Sequence, residues 1–332
     1  MEQKIDFVIL WVDGSDEAWR KEKERYQPPK GTDSKQIRYR DWDILRFWFR
    51  GIEAYAPWVN RIHFVTCGHL PEWLDTSHPK LNIVKHSDYM PSEYLPTFSS
   101  HPIELNLARI SGLEEQFVYF NDDMFLIRDV TPGDFFQNGL PRDCCIESAV
   151  MQDNYEDPFA HILLNDCALL NQHFQKKEVI KKQWKKWFSP VYGTAMLRNL
   201  LMMPYRQFTS FKFFHIPSPF LKSTLEEVWA CEPKTLDEVC RNKFRGIMDV
   251  NQYLFKYWQF AQGRFIPQSA HTGKFFIPGR DDAAMYQAIE KQTYKMICIN
   301  DDGQEEDFEL LKAQVTASFT KILPERSGFE RG

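Results

Sequence analysis

Three polar residues, Asn121, Asp122 and Asp123, interrupt an aromatic and β-branched run that begins at Phe117. Such a run is typical of a strand that is buried on both faces of a parallel sheet. Carboxylates at the carboxyl end of that strand would lie where α/β enzymes bind ligands. Two adjacent carboxylates repel each other, and a cation or hydrogen bonds must offset that repulsion. The pattern favours a site for Mg²⁺ or Mn²⁺ carrying a diphosphate, with Asp123 and Asp122 as ligands. An ordinary Asx turn at the end of a strand is the alternative.

A second acidic loop, Asp13-Gly14-Ser15-Asp16, follows a strand-like run that starts near the N-terminus. Gly14 permits a tight turn and a close approach of the backbone to a ligand. Asp13 and Asp16 could accept hydrogen bonds from a ribose, a base or a metal-bound water. The sequence has neither a GxGxxG nor a GxxxxGK[ST] fingerprint. The loop is therefore predicted to bind substrate through carboxylates and metal rather than through a glycine-rich cradle.

Strands alternate with helices in the first part of the chain, which predicts an α/β fold with a mostly parallel sheet flanked by helices. The patterns predict strands at 5–11, 61–66, 81–84 and 117–120, and helices at 43–55 and 103–110. Helical patterns dominate residues 144–263, and a strand at 295–300 and a helix at 308–323 follow. We expect one catalytic unit over residues 1–332, made of an α/β core (1–143), a helical lobe (144–263) and a C-terminal return to the core (264–332).

The composition limits which binding partners and which cellular compartment are expected for the protein. The net charge of −5 and the pI of about 6.0 make nucleic acid an unexpected partner. Seven cysteines without a CxxC pair indicate reduced thiols. No apolar run reaches the roughly 18 residues of a transmembrane helix, and the N-terminus lacks a cleavable signal, so a cytoplasmic protein is expected.

One basic segment, Lys176–Trp187 with the sequence KKEVIKKQWKKW, could contact the membrane from the cytoplasmic side. Lysines interleaved with tryptophan suit the surface of an anionic bilayer. A solvated helix with two buried tryptophans is the favoured alternative. The expected protein therefore has no transmembrane segment and is cytoplasmic, with a peripheral contact at the inner face of the membrane left open.

Four stretches together resemble the Stealth family, which includes bacterial capsular polysaccharide phosphotransferases and the catalytic core of the lysosomal N-acetylglucosamine-1-phosphotransferase. They are IDFVILWVDGSD at 5–16, the long run 55–125, HIPSP and KFRGIMDV within 215–250, and the tail from CINDDGQ to SGFE at 298–330. The resemblance covers nearly the whole chain, but residues 143–211 carry no motif of the family.

The resemblance implies a Rossmann-like core similar to GT-A glycosyltransferases, with Mg²⁺ or Mn²⁺ as cofactor. It implies transfer of a hexose- or N-acetylhexosamine-1-phosphate from a nucleotide sugar, commonly a UDP-sugar, to a hydroxyl of an acceptor oligosaccharide that a lipid could carry. UMP would leave and a phosphodiester would form in a capsular or other surface polysaccharide. The functional positions that it implies are Glu104, Asp123, His215 and Arg245.

The residue types suit phosphoryl transfer. Arg245 could grip phosphate oxygens in a bidentate manner. His215 could be the base that deprotonates the acceptor hydroxyl, a transient nucleophile, or a group that orients phosphate. Glu104 could orient the acceptor or be the base instead. His101 and Arg109 are further candidates for sugar or phosphate contacts.

Two other functions stay open. A metal-dependent glycosyltransferase would use the same diphosphate site but release UDP. A non-catalytic glycan-binding subunit would keep the fold, although joint retention of the four implied positions argues against it. Asp301 and Asp302, after the late strand, could add acidic ligands or form a solvated loop.

Overall fold

The computed structural model describes residues 4–26, 39–152, 158–301 and 307–331. The strands are β1 (Ile5–Leu10), β2 (Ile62–Thr66), β3 (Leu81–Lys85), β4 (Gln116–Phe120), β5 (Met124–Leu126), β6 (Phe136–Gln137), β7 (Leu140–Asp143), β8 (Ser218–Leu221), β9 (Ile266–Pro267), β10 (Gly273–Phe276) and β11 (Met296–Ile299). The α-helices are α1 (Glu17–Glu24), α2 (Leu45–Tyr55), α3 (His86–Tyr89), α4 (Ser100–Leu105), α5 (Pro132–Phe135), α6 (Pro158–His173), α7 (Lys176–Trp187), α8 (Met196–Met202), α9 (Lys222–Cys231), α10 (Pro233–Cys240), α11 (Tyr253–Gln262), α12 (Asp282–Glu290) and α13 (Phe308–Ile322). Short 3₁₀ helices lie at Ser92–Tyr94, Leu107–Arg109 and Pro190–Ala195.

The main sheet has the strand order β3-β2-β1-β4-β8. Its first four strands are parallel, and Val8 of β1 lies opposite both His63 of β2 and Tyr119 of β4. Every residue of β1, β2 and β4 is buried, as expected for strands with helices on both faces. The predicted α/β fold with a mostly parallel sheet is confirmed.

The fifth strand, β8, comes from the range that the sequence assigned to a helical lobe. It pairs antiparallel with β4, with Pro219 opposite Val118. A four-residue SPFL run with a proline at its second position predicts no strand, because proline cannot donate to a central ladder. Proline is tolerated on an edge strand, and β8 is the edge of this sheet. Residues 144–263 are therefore helical for most of their length but also complete the main sheet.

The C-terminal range supplies two strands of a second sheet, ordered β10-β11-β5, where one strand was expected. Strand β11 pairs antiparallel with β5, which is separated from β4 by the three residues 121–123. Cys298 lies opposite Met124, and the amide of Ile299 donates to the carbonyl of Asp123 at 2.8 Å. The tail thereby reaches the acidic end of β4.

Alternate residues of the strands point to opposite faces and enter two apolar cores. Val8 and Tyr119 face the core covered by α6, α9, α10 and α11, whereas Phe7 and Phe120 face the core covered by α2, α12 and α13. Among the helices that the structure describes, none is long and apolar enough to cross a bilayer. The seven cysteines, all within the described ranges, are free thiols.

A buried ion pair fixes helix α7 to the rest of the helical range. The Lys176 ammonium donates to Glu147 at 2.6 Å and to the Met202 carbonyl at 2.6 Å. The two side chains are 2% and 0% exposed. Burial raises the pKa of Glu147 to about 6, although Lys176 pulls it down.

We predict that Lys176→Met lowers the free energy of unfolding by about 3–5 kcal/mol, since it leaves the Glu147 carboxylate buried without its partner. Urea denaturation measures the change. Lys321→Met is the matched control, because Lys321 pairs with Glu290 at 2.7 Å on the surface. It should cost less than about 1 kcal/mol. Equal losses in the two variants would contradict the prediction.

Candidate active site

A cleft of about 610 Å³ lies at the carboxyl ends of the four parallel strands. Residues that follow each of those strands line it, among them Trp11, Cys67, His86 and Asn121. Glu104, Asp123, His215 and Arg245 all lie in this lining, together with Asp122 and His101. The structure thus brings the four positions implied by the family resemblance into one cleft, while their roles stay predictions.

Asp123 lies between the sheet and the C-terminal tail. Its Oδ2 accepts from the Cys298 thiol at 3.2 Å and lies 3.3 Å from Nε2 of His215. Its Oδ1 is buried and has no hydrogen-bond partner in the described structure. One ligand atom each from Asp123, His215 and Cys298 falls within 4.8 Å of the others.

Asp122 faces the cleft and is surrounded by other carboxylates. Desolvation by the surrounding protein and, after it, the charges of Asp123 and Asp41 together raise the pKa of Asp122 from 3.8 to about 7, although Arg245 lowers it in part and the side chain is open to the cleft. A raised carboxyl pKa means that the charged form is disfavoured here. The positive charge at this end of the cleft is therefore too small to offset its carboxylates.

The residues present fit a divalent cation. The buried Oδ1 of Asp123 has no protein partner, and the carboxyl of Asp122 has a raised pKa, so a divalent cation would satisfy the first and offset the charge around the second. Burial raises the pKa of the Cys298 thiol well above its usual value, so it stays protonated and acts as a donor to Asp123. The candidate ligand atoms that the structure brings together are those of Asp123 and His215, beside the Cys298 thiol, and Asp122, predicted as a second ligand, is not part of that group. Carboxylate oxygen suits Mg²⁺ or Mn²⁺, and imidazole nitrogen is compatible with Mn²⁺.

A series of polar contacts connects Glu104 with His215. The Tyr119 hydroxyl lies 3.1 Å from Glu104 Oε1 and also contacts Oδ1 of Asn121, and its single proton is donated to one of these two acceptors at a time. Nδ2 of Asn121 in turn lies 3.2 Å from Nε2 of His215. The second oxygen of Glu104 accepts from the amide of Gln252 at 3.2 Å. Both carboxylate oxygens of this buried residue therefore lie within hydrogen-bond distance of donors.

His215 is held from its other side by Tyr253. Its Nδ1 lies 3.0 Å from the Tyr253 hydroxyl, and its ring stacks on Phe213 with centroids 5.1 Å apart. When Nδ1 donates to Tyr253, the Nε2 lone pair is left toward Asn121 and the cleft. The imidazole is thus fixed in the plane that directs Nε2 to Asp123.

Arg245 is carried by a loop that packs on the start of α4. Phe244 stacks on Phe98 with centroids 5.4 Å apart, and the guanidinium donates to Ser100 Oγ at 3.1 Å. Its charge partly offsets the raised pKa of Asp122. The guanidinium therefore faces the acidic end of the cleft.

His101 is oriented by a carboxylate that the sequence reasoning did not identify. Its Nδ1 lies 2.8 Å from Oδ2 of Asp249. The same oxygen accepts a hydrogen bond from the amide of Gly246, and Oδ1 of Asp249 accepts one from the side chain of Asn242. His101 lines the cleft as predicted for a substrate contact.

The Asp13–Asp16 loop, predicted to bind substrate, does not line the cleft, although the preceding Val12 does. Asp13 accepts from the amide and hydroxyl of Ser15, and Asp16 caps α1. A Cβ on Gly14 would lie 1.8 Å from the carbonyl oxygen of Tyr39. The glycine therefore permits close approach, as expected, but to the chain itself.

Arg109 also lies outside the lining. It is exposed at the end of a 3₁₀ helix, and its guanidinium lies 4.8 Å from the centre of the Trp229 ring. The sequence placed it one turn beyond Glu104 on a continuous helix. Helix α4 instead ends at Leu105, so Arg109 turns away from Glu104.

Asp301 contributes to the opposite wall of the cleft as part of an ion pair. It accepts from Arg40 at 2.6 and 2.8 Å and from the indole of Trp42 at 2.9 Å. Its neighbour Asp302 lies outside the described residues. No local pattern predicts this contact, or those that join Glu104 to Tyr119 and His215 to Asn121 and Tyr253, because the partners are 15 to 261 positions apart along the chain.

Among solved structures, the chain is similar to the galactosyltransferase LgtC in complex with donor and acceptor sugar analogues, with 10% identity and a TM-score of 0.40. The similarity covers 94% of this chain and 95% of the other. So distant a similarity carries no argument, and the Rossmann-like assignment depends on the strand order of the main sheet.

Family models for Stealth conserved region 1 and conserved region 2 match residues 3–28 and 38–143. A capsular polysaccharide phosphotransferase WcwK of Streptococcus pneumoniae is 43% identical over 100% of both chains. The exopolysaccharide phosphotransferase cps2G of Lactiplantibacillus plantarum is 39% identical over 98% of this chain and 96% of its own. The receptor polysaccharide phosphotransferase WefC of Streptococcus gordonii is 37% identical over 99% and 100%. With this identity over its full length, the chain belongs to the Stealth family.

Proposed function

We propose that the protein transfers a hexose- or N-acetylhexosamine-1-phosphate from a UDP-sugar to a hydroxyl of an acceptor oligosaccharide, in the synthesis of a capsular or other surface polysaccharide. The acceptor is carried on a lipid at the cytoplasmic face of the membrane. The observation that supports this proposal is the convergence of Asp122, Asp123, His215 and Arg245 on one cleft. The relatives' names as polysaccharide phosphotransferases agree with it.

Membership of the Stealth family makes the chain a phosphotransferase, and the donor and leaving group are part of the proposal. The acceptor hydroxyl oxygen forms a bond to the sugar-bearing phosphorus, and the bond from that phosphorus to the bridging oxygen breaks. UMP takes the bridging oxygen with its electron pair. The hydroxyl proton passes to the enzyme, and the product is a phosphodiester.

Asp122 and Asp123 would hold Mg²⁺ or Mn²⁺. A cation bound there offsets negative charge on the diphosphate and lowers the barrier to attack at phosphorus. Arg245 binds the phosphoryl oxygens, since a guanidinium presents two parallel donors to them. Ser100 and the Phe98–Phe244 stack hold it in place before substrate arrives.

His215 is the better of the two candidate bases. Both oxygens of Glu104 lie within hydrogen-bond distance of donors, and the residue is only 4% exposed. The His215 side chain is 13% exposed at the cleft, with Tyr253 at Nδ1 and Nδ2 of Asn121 3.2 Å from Nε2. The imidazole is therefore the more accessible of the two groups. In this proposal His215 accepts the acceptor's proton at Nε2, and Glu104 acts through Tyr119 to position Asn121.

We predict that the spent nucleotide is UMP and that the glycan product carries a phosphodiester. Chromatography of the nucleotide and phosphorus NMR of the product measure the two results for a panel of UDP-sugars and acceptor oligosaccharides. EDTA should abolish both signals. Stoichiometric UDP with no phosphorus in the glycan would instead identify a glycosyltransferase, and no turnover with any donor would favour a binding subunit.

We predict that His215→Gln lowers kcat by roughly 10²–10⁴-fold, the contribution of a positioned base. Glu104→Gln should lose less, because a glutamine oxygen still accepts from Tyr119. His271→Gln is the control, since that histidine is exposed and absent from the cleft lining. Steady-state kinetics across pH measure the effects. A larger loss in Glu104→Gln than in His215→Gln would transfer the role of base to Glu104.

We predict that Mg²⁺ raises the melting temperature more at about pH 8 than at about pH 5. Asp122 has a folded pKa of about 7 against an ordinary value of 3.8, so the folded protein holds this proton more tightly. The contribution of Asp122 to the stability of metal-free protein is therefore complete below about pH 4 and is lost as the pH rises through about 7. At low pH the proton on Asp122 competes with the cation.

Thermal unfolding with and without Mg²⁺ measures this effect, and two variants test its origin. Asp122→Asn should remove most of the pH dependence, and Asp123→Asn should remove most of the stabilisation by Mg²⁺. Asp129→Asn, an exposed acid close by in sequence, should change neither. Stabilisation that is equal at both pH values would contradict the assignment of Asp122 as a ligand.

A further inference from the structure

Exposed large apolar side chains are concentrated in one short segment of the helical range. Of the thirteen such residues in the described structure, seven lie between Trp184 and Tyr205. Leu197, Leu200 and Leu201 of α8 are 56%, 49% and 73% exposed, and Trp184 of α7 is 56% exposed. Monomeric soluble proteins rarely leave so many large apolar groups together in water, and such a surface marks a site of interaction.

The same segment is strongly basic. Residues 176–206 contain eight lysines and arginines and a single acid, Glu178, although the whole chain has a net charge of −5. Two of the eight are used internally, because Lys176 pairs with Glu147 and Lys186 donates to backbone carbonyls. The other six are exposed: Lys177, Lys181, Lys182, Lys185, Arg198 and Arg206.

Two hydrogen bonds connect helix α7 with helix α8. The start of α7 contacts the end of α8 through Lys176 and the Met202 carbonyl, and Asn199 of α8 donates to the carbonyl of Trp187 at 2.7 Å. Asn199 is buried, so α8 directs its polar side inward and its leucines outward. We name the exposed side of the two helices the α7–α8 patch.

We propose that the α7–α8 patch binds the surface of an anionic bilayer. Leucines and a tryptophan insert among the lipid headgroups, and the surrounding ammonium and guanidinium groups contact lipid phosphates. The charge of the patch selects this occupant, because its excess of positive charge complements anionic lipid. The inference does not depend on which reaction the cleft performs.

Helix α6 relates the patch to the cleft. Its first residues, Pro158 and Phe159, line the cleft, and its last, His173, lies three residues before α7 begins. Sixteen residues of helix span about 24 Å. A bilayer at the patch would therefore lie within reach of an oligosaccharide that extends from a lipid into the cleft.

Vesicle flotation tests the proposal with the full chain. Wild-type protein should float with vesicles of phosphatidylcholine and phosphatidylglycerol in equal parts, should float much less with phosphatidylcholine alone, and should be released by high salt. Lys181→Gln/Lys185→Gln should weaken binding on the order of tenfold or more, since each basic group near the surface contributes separately. Lys234→Gln/Lys291→Gln, which removes two exposed lysines elsewhere, should bind as wild type does.

A second pair of variants tests the apolar contribution. Leu197→Ser/Leu201→Ser should reduce flotation to a similar degree, whereas Leu310→Ser, at an exposed leucine of α13, should not. All variants should keep the wild-type melting temperature and turnover of a soluble acceptor. Wild-type protein that stays in the soluble fraction with both kinds of vesicle would overturn the proposal and leave the patch as a protein-docking surface. Equal losses in the patch variants and their controls would overturn it as well.

Discussion

The central constraint on this structure is that strand β4 is buried on both faces, so that adjacent carboxylates could lie inside the sheet only with buried partners for each charge. Its residues Phe117 to Phe120 are 0% exposed. Carboxylates in that environment would lose several kcal/mol of hydration each. The strand therefore ends where Asn121, Asp122 and Asp123 begin, and these residues emerge together at the carboxyl edge of the sheet. The position of the candidate active site follows from the end of one strand.

Tyr119 couples this edge to the helical range. It is the last residue of β4 that faces the core beneath α6 and α11, and its hydroxyl must find partners because it is fully buried. Glu104 of α4 and Asn121 supply them. The need to satisfy one buried hydroxyl thereby fixes a carboxylate and an amide in the cleft, and the amide in turn fixes His215. The contacts that satisfy this buried hydroxyl in the core therefore also set the geometry of the candidate site.

The sequence predicted the parts of the fold that local patterns specify. Alternating apolar strands and helices gave β1 to β4 and the parallel sheet, and an apolar run broken by carboxylates located Asp123. Strand β8 was missed because Pro219 masks it, and the predicted helix at 103–110 begins earlier, since Ser99 caps α4 at its start. The hydrogen bonds from His215 to Asn121 and Tyr253 had no local signal, because they join residues 94 and 38 positions apart. Only the family resemblance placed His215 in the site.

The distribution of charge connects the two ends of the molecule. The basic segment 176–206 carries a formal charge of +7, so the other residues together carry −12, the difference between −5 and +7. The cleft belongs to this acidic part, with Asp41, Asp122 and Asp123 at one end and Arg245 facing them. A diphosphate entering it meets like charge, which Arg245 alone does not neutralise. A divalent cation on Asp122 and Asp123 would convert the repulsion into attraction, and the same arrangement would keep the cleft from competing with the α7–α8 patch for anionic lipid.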